Sequence, residues 1–195
     1  MRLTTRGREP FDRDGLSAAR GTVNPVLLQR LLAHPFLQRA PPKATGGEEF
    51  GDSFAAALLT AYPEMPRDDL LATLAAFTAE AVATGLRRWF PTGEVPQEVL
   101  ASGGGVHNRA LMAALARALA PIPLRTIATV GGHPDAKEAL AFAVLGYLTL
   151  RGRAGNLPSV TGAGRPVLLG SITPGRLGHD LLATLGTPSG GHAYE

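Results

Sequence analysis

The chain reads as an α/β protein, helix-rich with few strands. Three observations predict this. Glu98, Val99 and Leu100 form a short apolar strand signal that runs through three glycines into an Ala-rich stretch, where Leu111, Leu115 and Leu119 recur at helical spacing. Residues 124–127, framed by Pro121 and Pro123, repeat the strand signal and lead through a Gly-Gly-His-Pro-Asp loop into an apolar helix over 138–150. A long helix from Asp68 to about Trp89 precedes both.

Taken in order, residues 1–14 are polar and charged and read as loop or frayed end. Asn24-Pro25 is a helix start, with Asn at the N-cap and Pro at the first helical position. That helix carries Val26, Leu27, Arg30 and Leu31 and stops near Pro35. Residues 39–47 hold Pro41, Pro42, Gly46 and Gly47 and form a loop. In it Lys43 and Thr45 are either solvated surface groups or donors to a phosphate or sugar oxygen. A helix over 48–59 follows with Phe50, Phe54 and Leu58 on one face, then a turn over 62–66. Asp68 is expected to cap the long helix, whose buried stripe would be Leu71, Leu74, Phe77, Thr78, Val82 and Leu86, with Glu80 a solvated charge.

The chain is organised around residues 101–112, ASGGGVHNRALM. The glycines Gly103, Gly104 and Gly105 let the backbone turn sharply and let a ligand approach it. Asn108 suits an N-cap, and the helix start beyond it is a natural place for an anion or nucleotide. A plain strand-to-helix turn fits the local pattern equally well. It is neither a dinucleotide fingerprint, which needs Gly or Ala where Asn108 stands, nor a Walker A loop, since Gly-Lys-Ser/Thr does not occur. Downstream, Asp135 and Glu138 stand three residues apart where a loop enters a helix. They would share a face there, either complementing the helix dipole or serving chemistry. The helix over 138–150 ends at Gly152. The loop over 155–164 precedes a last strand over 167–169, and residues 187–195 read as disordered.

Composition excludes several classes. Of 195 residues 45% are hydrophobic and 18% charged, so a soluble globular chain with one domain is the default. The net charge is only +3 and Lys43 and Lys137 are the only lysines; with no basic cluster bearing interleaved aromatics, a nucleic-acid partner is not expected. There is no cysteine, which excludes disulfides and thiol chemistry. The five histidines are scattered without metal-ligand spacing, so no metal site is expected from the protein itself. No apolar signal segment opens the sequence, and the apolar run over 139–150 falls short of the ~20 residues of a membrane helix. A cytoplasmic protein with no membrane partner is expected.

The sequence resembles the anhydro-N-acetylmuramic acid kinases of the actin, hexokinase and sugar-kinase superfamily. Gly-Gly-Gly-Val-His-Asn followed by Leu-Met is similar to their adenosine motif. Phe11-Asp12-Arg13-Asp14-Gly15, the Pro-Pro-Lys-Ala-Thr-Gly-Gly-Glu-Glu-Phe loop from Pro41, Asp135-Ala136-Lys137-Glu138-Ala139-Leu140-Ala141-Phe142-Ala143 and Asn156-Leu157-Pro158-Ser159-Val160-Thr161-Gly162-Ala163 match further segments in the family's order. Gly47 stands where the family has arginine, so this loop lacks that charge.

The resemblance implies a ribonuclease-H-like C-terminal lobe over 1–175, incomplete on its N-terminal side, and a partly disordered extension over 176–195. It implies ATP and magnesium as cofactors, an anhydro amino sugar as substrate, and N-acetylmuramic acid 6-phosphate as product. Gly103, Gly104, Gly105, His107 and Asn108 would bind nucleotide. Lys43, Thr45 and Asp135 would form the substrate or phosphate loop, and Glu138 would assist a general-base aspartate. The family's Gly-Thr-Ser-x-Asp-Gly phosphate loop and its Phe-Asp-Thr-Gly-Pro-Gly-Asn base segment do not occur in this sequence. The expectation is therefore a lobe inactive alone, partnered by a missing N-terminal lobe or a second copy in a homodimer. The alternative is a non-catalytic remnant that binds nucleotide or a partner.

Overall fold

The structure, a computed structural model, describes residues 9–91 and 94–173. The expected extension over 176–195, with its disordered tail, lies outside the described residues. The chain divides into two compact units at the boundary between Asp135 and Ala136.

The first unit is built on one long helix. Its opening is α1 (Leu16–Arg20), preceded by a single 3-10 turn, Arg13–Gly15. This segment carried no helical expectation, yet it is tightly specified. Asp14 and Gly15 are both left-handed, with φ of 54° and 73°. That kink brings the Asp12 carboxylate back over the helix start, where it accepts from the N–H groups of Ser17 and Ala18, both at 2.9 Å. Asn24 caps α2 (Pro25–Leu32) as the sequence predicts, its Oδ1 accepting from Leu27 N at 2.9 Å with Pro25 in the first turn. Pro35 does not merely stop that helix; it opens another short one, α3 (Pro35–Gln38).

The helix expected over 48–59 is two pieces, α4 (Gly47–Phe50) and α5 (Asp52–Ala61). Gly51 breaks it, with φ −92° and ψ −151°, at a place where a Cβ would collide with the Gly47 carbonyl oxygen. The predicted face survives the break. Leu58 is buried, and the Phe50 and Phe54 rings meet edge to face at 5.3 Å, with Phe50 also 5.9 Å from Phe77. Leu27, Leu31, Leu58, Leu70 and Phe77 form the core of this unit.

The long helix α6 spans Arg67–Trp89. Asp68 does not cap it; Pro66 occupies the N-cap, and the Asp68 carboxylate pairs instead with Arg20 at 2.9 Å. The buried stripe is also displaced from expectation. Leu70, Ala72, Thr73, Phe77, Ala79 and Ala83 are buried, whereas Thr78 and Val82 are exposed and Leu71, Leu74 and Leu86 only half-buried. The reason is size. Here α1 and α6 pack with the helix α7 (Arg109–Leu119) through alanines, Ala18, Ala72 and Ala114 among them, and small side chains let backbones approach. A stripe drawn through the large apolar residues misses that face. By length and composition α6 would also pass as a membrane span, but it is the helix on which α1, α2 and α7 pack.

Strands β1 (Val99–Ala101) and β2 (Leu124–Thr126) pair in parallel, with Val99 opposite Leu124 and Ala101 opposite Thr126. Parallel neighbours require a crossover, and α7 supplies it. The expected second strand ends one residue early, since Ile127 begins a 3-10 turn (Ile127–Val130).

The second unit holds α8 (Lys137–Leu150) and α9 (Pro158–Thr161). No residue of α8 is buried; Leu140 and Phe142 are 67% and 73% exposed. The strand expected over 167–169 does not form among the described residues. Instead Asn156 clasps that segment, its Oδ1 accepting from Val167 N at 2.6 Å and its Nδ2 donating to Arg165 O at 3.1 Å. A three-residue apolar run between Pro166 and Gly170 has no strand to pair with among the described residues, so its backbone groups are taken up singly, Val167 N–H by Asn156 Oδ1 and Val167 O by the Gly155 N–H at 3.1 Å.

Candidate functional site

The strand β1 delivers the chain into Gly103, whose φ of +86° and ψ of 175° is a conformation open essentially to glycine. A 3-10 turn, Gly104–His107, follows at once, and Asn108 closes it and caps α7, its Oδ1 accepting from Leu111 N at 2.9 Å. The predicted strand, glycine turn and capped helix are therefore all present. A Cβ placed on Gly103 or Gly104 would meet nothing within 4 Å, and one on Gly105 would only touch Leu111 Cδ2 at 3.5 Å. The turn thus has open space beside Gly103 and Gly104.

A second loop, residues 131–135, is bound to this turn. The Gly103 N–H donates to Pro134 O at 3.0 Å. The His107 Nε2–H is shared between both oxygens of Asp135, at 3.1 and 3.2 Å. Asp135 belongs to the 3-10 turn Pro134–Ala136, ahead of α8 and not within its first turn, so its carboxylate is directed to His107. Glu138 does sit in the first turn of α8, exposed. Among the described residues no group of three or more His, Cys, Asp or Glu side chains could hold a metal ion.

Support for the glycine turn comes from an unexpected quarter. Gly15 lies directly against Asn108: a Cβ there would collide with Asn108 Oδ1 and stand 2.9 Å from Ala110 N. The kinked Asp12–Gly15 segment thus packs against the cap of α7.

A family model for anhydro-N-acetylmuramic acid kinase matches residues 2–175. The chain belongs to that family. It is 45% identical over 168 residues to the anhydro-N-acetylmuramic acid kinase of Cyanothece sp., a match covering 85% of this chain and 44% of that one. It is 46% identical over 176 residues to the kinase of the same name from Streptomyces coelicolor, covering 90% and 44%, and 37% identical over 164 residues to that of Clostridioides difficile, covering 84% and 43%. The chain thus spans under half the length of the curated relatives it matches.

Two of the residues that the kinase resemblance singled out lie elsewhere in the first unit. Lys43 donates from Nζ to Phe36 O at 3.1 Å and Leu37 O at 3.3 Å, which satisfies the carbonyls of the short helix α3, and its ammonium lies 4.9 Å from the centre of the Phe36 ring. Lys43 and Thr45 line a mainly apolar cavity of about 440 Å³ with Phe50, Phe77 and Trp89. The structure therefore brings Gly103, His107, Asn108 and Asp135 together and leaves Lys43 and Thr45 in a separate hollow.

Proposed function

We propose that this chain is the C-terminal, nucleotide-binding half of an anhydro-N-acetylmuramic acid kinase, with a ribonuclease-H-like lobe architecture. In that reaction ATP and water convert 1,6-anhydro-N-acetylmuramic acid to N-acetylmuramic acid 6-phosphate: water opens the anhydro bridge and the freed 6-oxygen takes the γ-phosphoryl group. The observation that carries this reading is the β1–glycine turn–α7 junction. Its glycine-only backbone at Gly103 and the exposed Gly104 leave open space beside the turn for a nucleotide to approach the backbone. Gly103, Gly104, Gly105, His107 and Asn108 make up the nucleotide side. Lys43 and Thr45 are carried over from the family's substrate or phosphate loop, and Glu138 assists the aspartate base of the family's other half.

Magnesium accompanies ATP and neutralises charge on the transferred phosphoryl group. Such an ion keeps several waters and takes one or two carboxylates besides the phosphates.

Calorimetric titration of the chain with MgADP tests the nucleotide half of this reading. Binding in the micromolar to millimolar range is expected, and an absence of heat at millimolar nucleotide overturns it. Binding of nucleotide without any response to anhydro sugar would favour the second reading, a non-catalytic remnant.

A further inference from the structure

We propose that His107 and Asp135 form a latch that sets the shape of the glycine turn, so that His107 is a positioning residue for nucleotide and not a direct contact. This rests on the nucleotide reading of the same junction. The turn is tied at both ends to one dipeptide. At its start the Gly103 N–H holds Pro134 O at 3.0 Å; at its end the His107 Nε2–H bridges both oxygens of Asp135 at 3.1 and 3.2 Å. The dipeptide is itself oriented, because Asp135 N donates to His133 Nδ1 at 3.3 Å. Between the two ties the glycines have little beside them: a Cβ on Gly104 would meet nothing within 4 Å and one on Gly105 only the Leu111 methyl. Besides half-buried Val106, the turn keeps only its own bonds, Val106 N–H to Gly103 O and Asn108 N–H to Gly105 O, both at 3.1 Å. Glycines left to themselves sample many conformations. With so little packing at Gly104 and Gly105 to choose among them, the ties at Gly103 and His107 hold the turn in one.

The pair is about half exposed, 57% and 53% for the two side chains, so its effect on global stability is small. Its effect on a ligand is different. A loop already held in its binding shape avoids the ordering cost of association. The His107 nitrogen that could have donated to a phosphate is instead directed to Asp135, which separates this role from direct ligation.

The test is a double-mutant cycle on the full 195-residue chain, with MgADP affinity by calorimetry and thermal midpoints measured in parallel. D135A and H107A should each weaken MgADP about threefold to fivefold, the size of effect expected of a half-exposed pair. The double variant should be no weaker than either single one. D135N should recover most of the affinity, since the Asn amide oxygen still accepts from Nε2–H. Midpoints should stay together across the set. Wild-type affinity in D135A overturns the latch while leaving the nucleotide reading intact. Losses that multiply in the double variant overturn it in favour of direct contact by His107. Affinity that falls only in step with the thermal midpoint overturns it in favour of a structural role. No MgADP binding by the wild type defeats the nucleotide reading itself, and the latch with it.

Discussion

Gly15 and Asn108 touch through the one place on Gly15 where any other residue would carry a side chain. A Cβ there would overlap Asn108 Oδ1, the atom that caps α7. Gly15 is also left-handed, with φ +73°. Two separate requirements, space and backbone conformation, therefore fall on one residue, and both concern the helix that opens the candidate site.

The first prediction follows directly. Gly15→Ala forces a non-glycine residue into the left-handed region, which costs about 1–3 kcal/mol, and displaces the Asn108 cap, worth about 1 kcal/mol more. Urea unfolding should show a clear loss of stability. A variant that unfolds at the wild-type urea concentration would mean that the two segments do not meet this way.

Gly104→Val should behave oppositely. The fold offers open space at this position, so the thermal midpoint should hold close to wild type. The new side chain fills the volume in which backbone would approach a nucleotide, so MgADP affinity should fall more than tenfold, about 1.4 kcal/mol or more. Unchanged affinity in calorimetry would remove this turn from the nucleotide site.

A third prediction concerns a group the sequence did not mark. Thr73 is fully buried on α6, at 0% exposure, donating to Asp69 O at 2.7 Å and accepting from Asn24 N at 2.9 Å. It fixes the N-cap of α2 to the long helix. Thr73→Val keeps the shape but leaves the Asn24 N–H without its acceptor, at a cost of about 1–3 kcal/mol. Thr73→Ser keeps the hydroxyl and should lose less, chiefly through its missing methyl. Equal stability of the valine and serine variants in denaturant titrations would count against the bond.

The contrast between these positions shows what was legible. Local signals with a local cause were readable. Asn24-Pro25 caps a helix whatever it packs on, and the sequence of apolar triplet, glycines and Asn108 places β1, the turn and α7 correctly. Features set by distant partners were not. Asp68 is a helix cap by spacing, but Arg20 draws it away. The buried face of α6 is chosen by alanines that meet α1 and α7, a preference that hydrophobicity alone ranks below the leucines. The apolar run over 167–169 reads as a strand, but a strand needs a partner, and Asn156 takes its place. At the site, His107 and Asp135 were both singled out, but their pairing was hidden because nothing in the linear pattern joins two loops.

The ion pair at Arg20 gives a pH prediction. The Arg20 hydrogen bond to Asp68 at 2.9 Å, aided by its charge, holds the Asp68 carboxyl below its ordinary value of 3.8, against the upward pull of desolvation. The folded value is the lower one, so ionised Asp68 favours the folded state. That contribution is complete above the ordinary value and disappears as pH falls through the depressed one. Arg20→Met should therefore be less stable than wild type near neutral pH. The difference should shrink as pH drops below about 4. Denaturant titrations across that range check it; a gap that widens in acid would contradict the assignment.

The last prediction is that this chain alone does not turn over anhydro sugar. In-line transfer needs water, sugar and γ-phosphate held in one alignment, and misplacement of any of them is costly. In the family that alignment uses a phosphate loop and a base segment, and neither motif occurs in this sequence. Loss of a positioned base usually costs on the order of 10²–10⁴ in rate, before any cost from an incomplete cleft. Glu138 does not replace the base on this reading: it lies exposed in the first turn of α8, and no residue of that helix is buried. Incubation of the pure chain with ATP, magnesium and 1,6-anhydro-N-acetylmuramic acid should give no 6-phosphate above the rate without protein, even where calorimetry registers nucleotide. Sustained product formation that disappears in Glu138→Gln would show instead that Glu138 is itself the base and that the described residues hold a working site.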